Sequence, residues 1–97
     1  MPVTDIQRLV PHPRETYLRQ NEARIRSEAL VVKTDPAVLL HLSGIEFAED
    51  LQDYHESVIS HFRDKGLQHR IPPHERYQAQ AFQLKLHHLD KLAHLTV

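Results

Sequence analysis

Nine histidines among 97 residues are the main stock of reactive groups in this chain. Imidazole binds metals, carries protons and titrates near neutrality. The most suggestive group is His87-x-x-Asp90-x-x-x-His94, spaced i, i+3 and i+7 on one face of a helical stretch. Holding one divalent ion would require the three to converge. His87 and His94 stand two turns apart, about 10 Å along a helix axis. Zinc sites need three or four converging ligands, and HExxH, which sets two histidines one turn apart, is absent. The group reads as a solvated polar face. Neither a metal site nor a cofactor is expected.

His88 differs, because its neighbours at helical spacing are apolar. It reads as a core or interface histidine, with a pH-sensitive contact as the alternative. His55 beside Glu56 and His61 beside Asp64 suggest acid–base pairs. On a helix, His55 falls near the apolar stripe while Glu56 faces away, and His61 with Asp64 makes an ordinary surface pair. Nucleophilic chemistry has little to build on. There is no Cys and no Gly-x-Ser-x-Gly elbow, and two glycines cannot make a phosphate loop. The chain reads as a non-enzyme.

These residues sit on elements legible from apolar spacing. The last third, from Pro73 to Thr96, carries two apolar stripes. Phe82, Leu86, Leu89 and Ala93 form one. Tyr77, Ala81, Leu84, Leu92 and Leu95 form the other, about 130° away, with His88 among them. One core needs one stripe, so the second is expected to meet a second neighbour, either another helix of a bundle in which this helix is central or a partner from another chain. The protein-interface residues read from it are Tyr77, Leu84, His88, Leu92 and Leu95.

Upstream, residues 1–13 read as an arm, because Pro2, Pro11 and Pro13 oppose helix. Residues 14–97 read as one helical domain. Arg14 to Val32 is expected to be a helix with a narrow seam of Leu18, Ile25, Ala29 and Val32. A strand from Ala23 to Lys33 is the rival reading. Asp35-Pro36 marks a helix start, the aspartate capping and the proline taking the first turn. Ala37 to Leu42 is expected to be a short helix. Ser43 and Glu46 then read as a capping box, and Leu42 with Phe47 as a hydrophobic staple. A new helix from Gly44 to Lys65 follows, with Phe47, Leu51, Tyr54, His55, Val58, Ile59 and Phe62 on its buried arc. Gly66 ends it, and Gly66 to Pro72 connects to the last helix.

The fold class is therefore all-α: a small bundle of three to four helices, with a long antiparallel helix pair, dimeric because the core is thin. Charge narrows the function. The net charge of −1 hides six basic and four acidic residues in 1–34, six acidic and no basic in 35–62, and six basic and three acidic in 63–97. No continuous basic footprint exists, and a helix-turn-helix around Ser43-Gly44 would present Glu46, Glu49, Asp50 and Asp53 to phosphates. Nucleic acid is disfavoured as a partner. No apolar run is long enough to span a bilayer, and Met1 to Val10 does not read as a signal peptide. The absence of Cys fits the cytoplasm.

The expected function is that of a small cytoplasmic regulatory or accessory protein acting through protein–protein contact. One form is an anti-activator covering a surface of a transcription regulator. The partner is another protein, with a homodimer expected. The alternatives are a nucleic-acid-associated regulator using Arg14, Arg19, Arg24 and Arg26, and a helical metal or pH sensor.

Overall fold

The computed structural model describes residues 12–96. They form three helices: α1 (Pro13–Val31), α2 (Pro36–Asp64) and α3 (Ile71–Leu95), with a 3-10 turn at Gln68–Arg70 before α3. No strand occurs among the described residues, so the rival strand reading of 23–33 falls. Most of the expected arm, residues 1–11, lies outside the described residues. Pro13 does not belong to an arm: it is the first residue of α1. Its missing N–H is no loss in the first turn, and the His12 ring accepts a hydrogen bond from the Arg14 N–H at 3.1 Å.

α2 starts where expected. The Asp35 carboxylate accepts from the Ala37 N–H at 2.9 Å, and Pro36 follows as the first helical residue. The helix then runs 29 residues without interruption, straight through Ser43-Gly44. The expected short helix, capping box and staple do not form. A capping signature is local, and it yields when burial on both sides favours continuity. Val38 lies before the site and Ile45 and Ala48 after it, all buried on one line of the helix. Glycine within a helix costs about 1 kcal/mol against alanine, a sum that two or three buried side chains outweigh.

The end of α2 is a glycine cap. Gly66 has φ +70°, a conformation glycine adopts without steric cost. Its N–H donates to the Arg63 carbonyl at 3.1 Å, and the Leu67 N–H donates to the Phe62 carbonyl at 2.8 Å. These are the two bonds of a Schellman closure. α3 begins two residues earlier than Pro73. Pro72 and Pro73 lie in its first turn, where no backbone donor is needed, and Ile71 is buried as its anchor.

α2 and α3 share the largest contact surface, and residue numbers fall along one as they rise along the other. His41 meets His88, Glu49 meets Lys85, Gln52 meets Gln78, and His55 meets His74. α1 packs across this pair. Its Leu18, Ile25 and Ala29 join Val38, Ile45, Leu86, Leu89, Leu92 and Ala93 in one core, with Leu42 and Phe82 half-buried against it. A charge cluster ties the three helices together. Arg26 bonds Glu49 at 3.0 and 3.1 Å and Glu22 at 2.9 Å, while Lys85 reaches Glu22 at 3.1 Å and Glu49 at 3.2 Å. The Arg26 guanidinium, aided by Lys85, holds the Glu49 carboxyl below the usual range.

α2 is rotated relative to its expected buried arc. Ile59 is buried, but Phe47 and Tyr54 are 58% and 61% exposed. The buried line runs instead through Val38, Ile45, Ala48 and Ile59. The register places Ala48 opposite Ala81, and both are buried. A stripe drawn through the largest apolar side chains points away from that contact.

The caps supply a direct test. Asp35→Ala is expected to lower stability by about 1 kcal/mol, the usual worth of an N-cap. Ser43→Ala is expected to stay within about 0.5 kcal/mol, as at an ordinary exposed helix position. Urea unfolding of the two variants measures both.

Candidate functional site

Two features of the α2–α3 pair stand apart from ordinary packing: a pair of histidine contacts in the seam, and an apolar edge left in solvent.

The seam carries His41 and His55 on α2, fourteen residues apart, and His74 and His88 on α3, also fourteen apart. A fourteen-residue step is nearly four helical turns, so each pair of rings stays on one face. Across the seam, His41 Nδ1 lies 2.9 Å from His88 Nδ1, and His55 Nδ1 lies 3.0 Å from His74 Nδ1. Such a contact is a hydrogen bond when one ring carries its proton on Nδ1 and the other leaves Nδ1 bare. Ala48 and Ala81 form the layer midway between them. Small residues there let the helices close, and closure lets imidazoles reach one another.

Gly44 belongs to this device. A Cβ at position 44 would lie 2.4 Å from His88 Nε2 and 2.5 Å from the adjacent ring carbons. The glycine does not restart the chain. It is a notch in α2 that receives the His88 ring. His41 and His88 are both pushed below the ordinary histidine range, first by burial. The charges facing His41 are His87 and Lys91, and those facing His88 are His41 and His87. A neutral pair can hydrogen-bond, whereas a doubly protonated pair sets N–H against N–H.

At the other end, the His55–His74 pair sits in an aromatic cluster. Tyr77 lies 5.1 Å from His55 and 5.8 Å from His74, and Phe62 lies 5.6 Å from His74, between ring centroids. Beside it opens a shallow 440 Å³ depression lined by Tyr54, Ser57, Val58, His61, Phe62 and His74. Glu56 takes no part with His55. It accepts from Gln78 Nε2 at 2.9 Å.

The apolar edge lies on α2, about half a turn from Ile45 and Glu49, which face α1. Leu40, Phe47 and Tyr54 follow one another at seven-residue spacing and are 63%, 58% and 61% exposed. The register sets Phe47 opposite Leu84 and Tyr54 opposite Tyr77 on α3. Together they make an open apolar face on the side of the helix pair away from α1.

The expected interface residues divide. Tyr77 and Leu95 are 48% and 45% exposed and stay available. Leu84 is half-buried on the rim of the open face, and His88 is half-buried against His41 and Gly44. Leu92 is 0% exposed and belongs to the core, because α1 covers that side of α3 with Ile25 and Ala29. The second stripe of α3 therefore splits between core and open face. Leu40, Phe47 and Tyr54 were missed as surface. Their signal was the seven-residue spacing along a helix already supplied with a buried line.

His87, Asp90 and His94 do not converge. Arg14 Nε donates to Asp90 at 2.6 Å, and His94 Nδ1 bonds the Asp90 backbone carbonyl at 2.8 Å. No group of three or more His, Asp or Glu among the described residues is placed to hold a metal ion. The four arginines of α1 are engaged: Arg14 with Asp90, Arg19 with Glu15, Arg24 with Glu28, and Arg26 with Glu22 and Glu49. Among the described residues no helix is long and apolar enough to cross a membrane. Compared with protein-family models, curated proteins and solved structures, the chain matches none.

Two expectations follow from the seam. Gly44→Ala gains helix propensity worth up to about 1 kcal/mol but displaces the His88 ring from His41. In a double-mutant cycle with His88→Ala, the glycine substitution is expected to stabilise more when the imidazole has been removed, with a coupling of about 1 kcal/mol. Denaturant unfolding of the four proteins reads this.

The second concerns pH. The folded pair resists protons that the unfolded chain accepts. Its contribution is complete above about pH 6.5, the ordinary histidine value, and is lost as pH falls below it. Melting temperature is expected to decline as pH falls below about 6.5, and the decline to flatten in a His41→Asn/His88→Asn variant.

Proposed function

We propose that this protein acts by binding another protein through the open face of the α2–α3 pair, as a small cytoplasmic regulatory or accessory protein. The single observation behind the reading is the row Leu40, Phe47 and Tyr54, each more than half exposed. A surface helix ordinarily places such residues singly. In a row, facing a second apolar rim of Leu84 and Tyr77, they form a contiguous patch of the kind that marks an interaction surface. Aromatic residues at its centre suit the role, since tyrosine and large apolar groups carry much of the energy of protein contacts.

The reverse order of contacts along α2 and α3 supports an antiparallel pair, a rigid platform for that face. An anti-activator, covering the dimerisation or ligand surface of a transcription regulator, is one concrete form. The reading as a nucleic-acid binder through Arg14, Arg19, Arg24 and Arg26 is disfavoured, because each of these four already has a carboxylate partner. We read the chain as a non-enzyme, from its lack of cysteine, nucleophile elbow and phosphate loop.

Capture from the native cell extract tests the proposal. Wild-type bait is expected to retain a protein that Phe47→Glu and Tyr54→Glu baits lose, with helix content unchanged in both. Leu92→Glu is expected to unfold instead, since a charge there enters the core. Retention of the same proteins by all folded baits would place the functional surface elsewhere.

A further inference from the structure

We infer that the open face receives a second copy of this chain, α2 of one copy lying on α3 of the other, so that two helix pairs complete a four-helix bundle. The inference rests on the reading of that face as a protein-binding surface and names its occupant.

Shape is the first argument. The Cα radius of gyration is 16.3 Å, and the molecule spans 47 × 35 × 17 Å. A compact domain of this length has a radius of about 12 Å. The described residues form a slab, with α1 on one side of the helix pair and none of them on the other.

Periodicity is the second. Leu40, Phe47 and Tyr54 step by seven along α2, and Tyr77 and Leu84 stand seven apart on α3, with Lys91 next at the same spacing. A strict seven-residue repeat keeps a stripe facing a neighbouring helix over many turns. The seam repeat of His41, Ala48 and His55 already serves the α2–α3 contact. The outer repeat requires its own helical neighbours, running alongside for the full length of the pair. A second copy supplies two.

Charge complementarity selects the occupant and its orientation. The rim of α2 beyond the stripe carries exposed Glu46, Asp50 and Asp53. The rim of α3 beyond its own stripe carries exposed Arg76 and His87, and exposed Lys91 ends the stripe itself. One face thus has an acidic border and a basic border. A two-fold axis parallel to the helices sets α2 against the partner's α3, and acidic border against basic. It brings Asp53 close to the partner's Arg76, and Glu46 close to the partner's His87. A two-fold axis across the helices would set α2 on α2 and acid on acid, which costs affinity. In the favoured arrangement every neighbouring helix runs antiparallel, as in up-down bundles.

Light scattering across a concentration range of about a hundredfold, wide enough to shift a monomer–dimer equilibrium, tests this on the full chain together with disulfide trapping. The absence of native Cys makes trapping clean. A dimer is expected. The Asp53→Cys/Arg76→Cys variant is expected to form a covalent dimer on oxidation, because within one chain the two positions lie on opposite rims. Phe47→Glu is expected to be monomeric with unchanged helix content. Should it fold poorly, Asp53→Arg is the second variant: it weakens dimerisation about tenfold at low salt, and adding Arg76→Asp restores it. A monomer at every concentration overturns the inference and leaves the face to residues 1–11 or to a different protein. Loss of a captured protein by Phe47→Glu, in such a monomer, would keep the broader reading while this one falls. A dimer that neither traps nor responds to Phe47→Glu and Asp53→Arg also overturns it.

Discussion

The packing of α2 on α3, with Gly44 fitted against His88 and Ala48 and Ala81 buried in the seam, governs the rest of the molecule. Small residues at a helix crossing let backbones come near, and nearness decides which flanking side chains meet. Here it brings His41 to His88 and His55 to His74, and requires the notch at Gly44. It also sets the rotation of α2. With alanines in the seam, the larger Leu40, Phe47 and Tyr54 cannot enter it and are carried to the outside. The open face is a consequence of the tight seam. Enlarging Ala48 would part the helices and undo the histidine contacts together.

α1 is held by a different balance. Only Leu18, Ile25 and Ala29 of its nineteen residues are buried, a small apolar anchor. The cluster of Glu22, Arg26, Glu49 and Lys85 supplements it with alternating charges drawn from all three helices. Half-exposed pairs of this kind contribute little singly, but a network spares each group an unpaired neighbour. The cluster also explains the charge map. Glu49 belongs to the acidic middle of the sequence and Arg26 to its mildly basic beginning. What reads as blocks of opposite sign along the chain folds into contact. The leftover acids, Glu46, Asp50 and Asp53, form no salt bridge among the described residues and stand beside the open stripe.

The parts of the fold that were legible share a property: their signals act on the backbone locally. Asp35-Pro36 starts α2 and Gly66 ends it because a cap needs only its own turn. The extent of α1 followed from composition and periodicity. Ser43-Gly44-Ile45-Glu46 carried an equally good local signal and was overridden, because Val38, Ile45 and Ala48 pack as one line across it. Gly44 looked like punctuation, whereas its partner is His88, far along the chain. Leu92 looked like surface because α3 has more apolar residues than one neighbour needs, and sequence does not say which of its stripes α1 would cover. The histidine pairs were visible only as four residues with equal fourteen-residue steps. Reading them as contacts requires the register between helices, which depends on the alanines and on the length of the turn at Gly66.

A polar seam in a small helical protein raises the question of what it contributes over leucine. Hydrophobic side chains of similar size would pack there without donors to satisfy. Two histidine contacts in matched layers do something apolar residues do not: a slip of one residue, or of one turn, leaves donors and acceptors unpaired in a half-buried place. Buried polar contacts are best attested in fixing register. Register matters here because the outer stripe inherits it. Phe47 stands opposite Leu84, and Tyr54 opposite Tyr77, only in the register the histidines select. A slip by one turn would move Phe47 off Leu84 and break the continuity of the apolar face. The same histidines make that register conditional on pH, since the His41–His88 contact favours the neutral form. The chemistry that seemed to point to metal or acid–base work is therefore better understood as alignment: imidazoles hold two helices in the one register that builds a surface beside them.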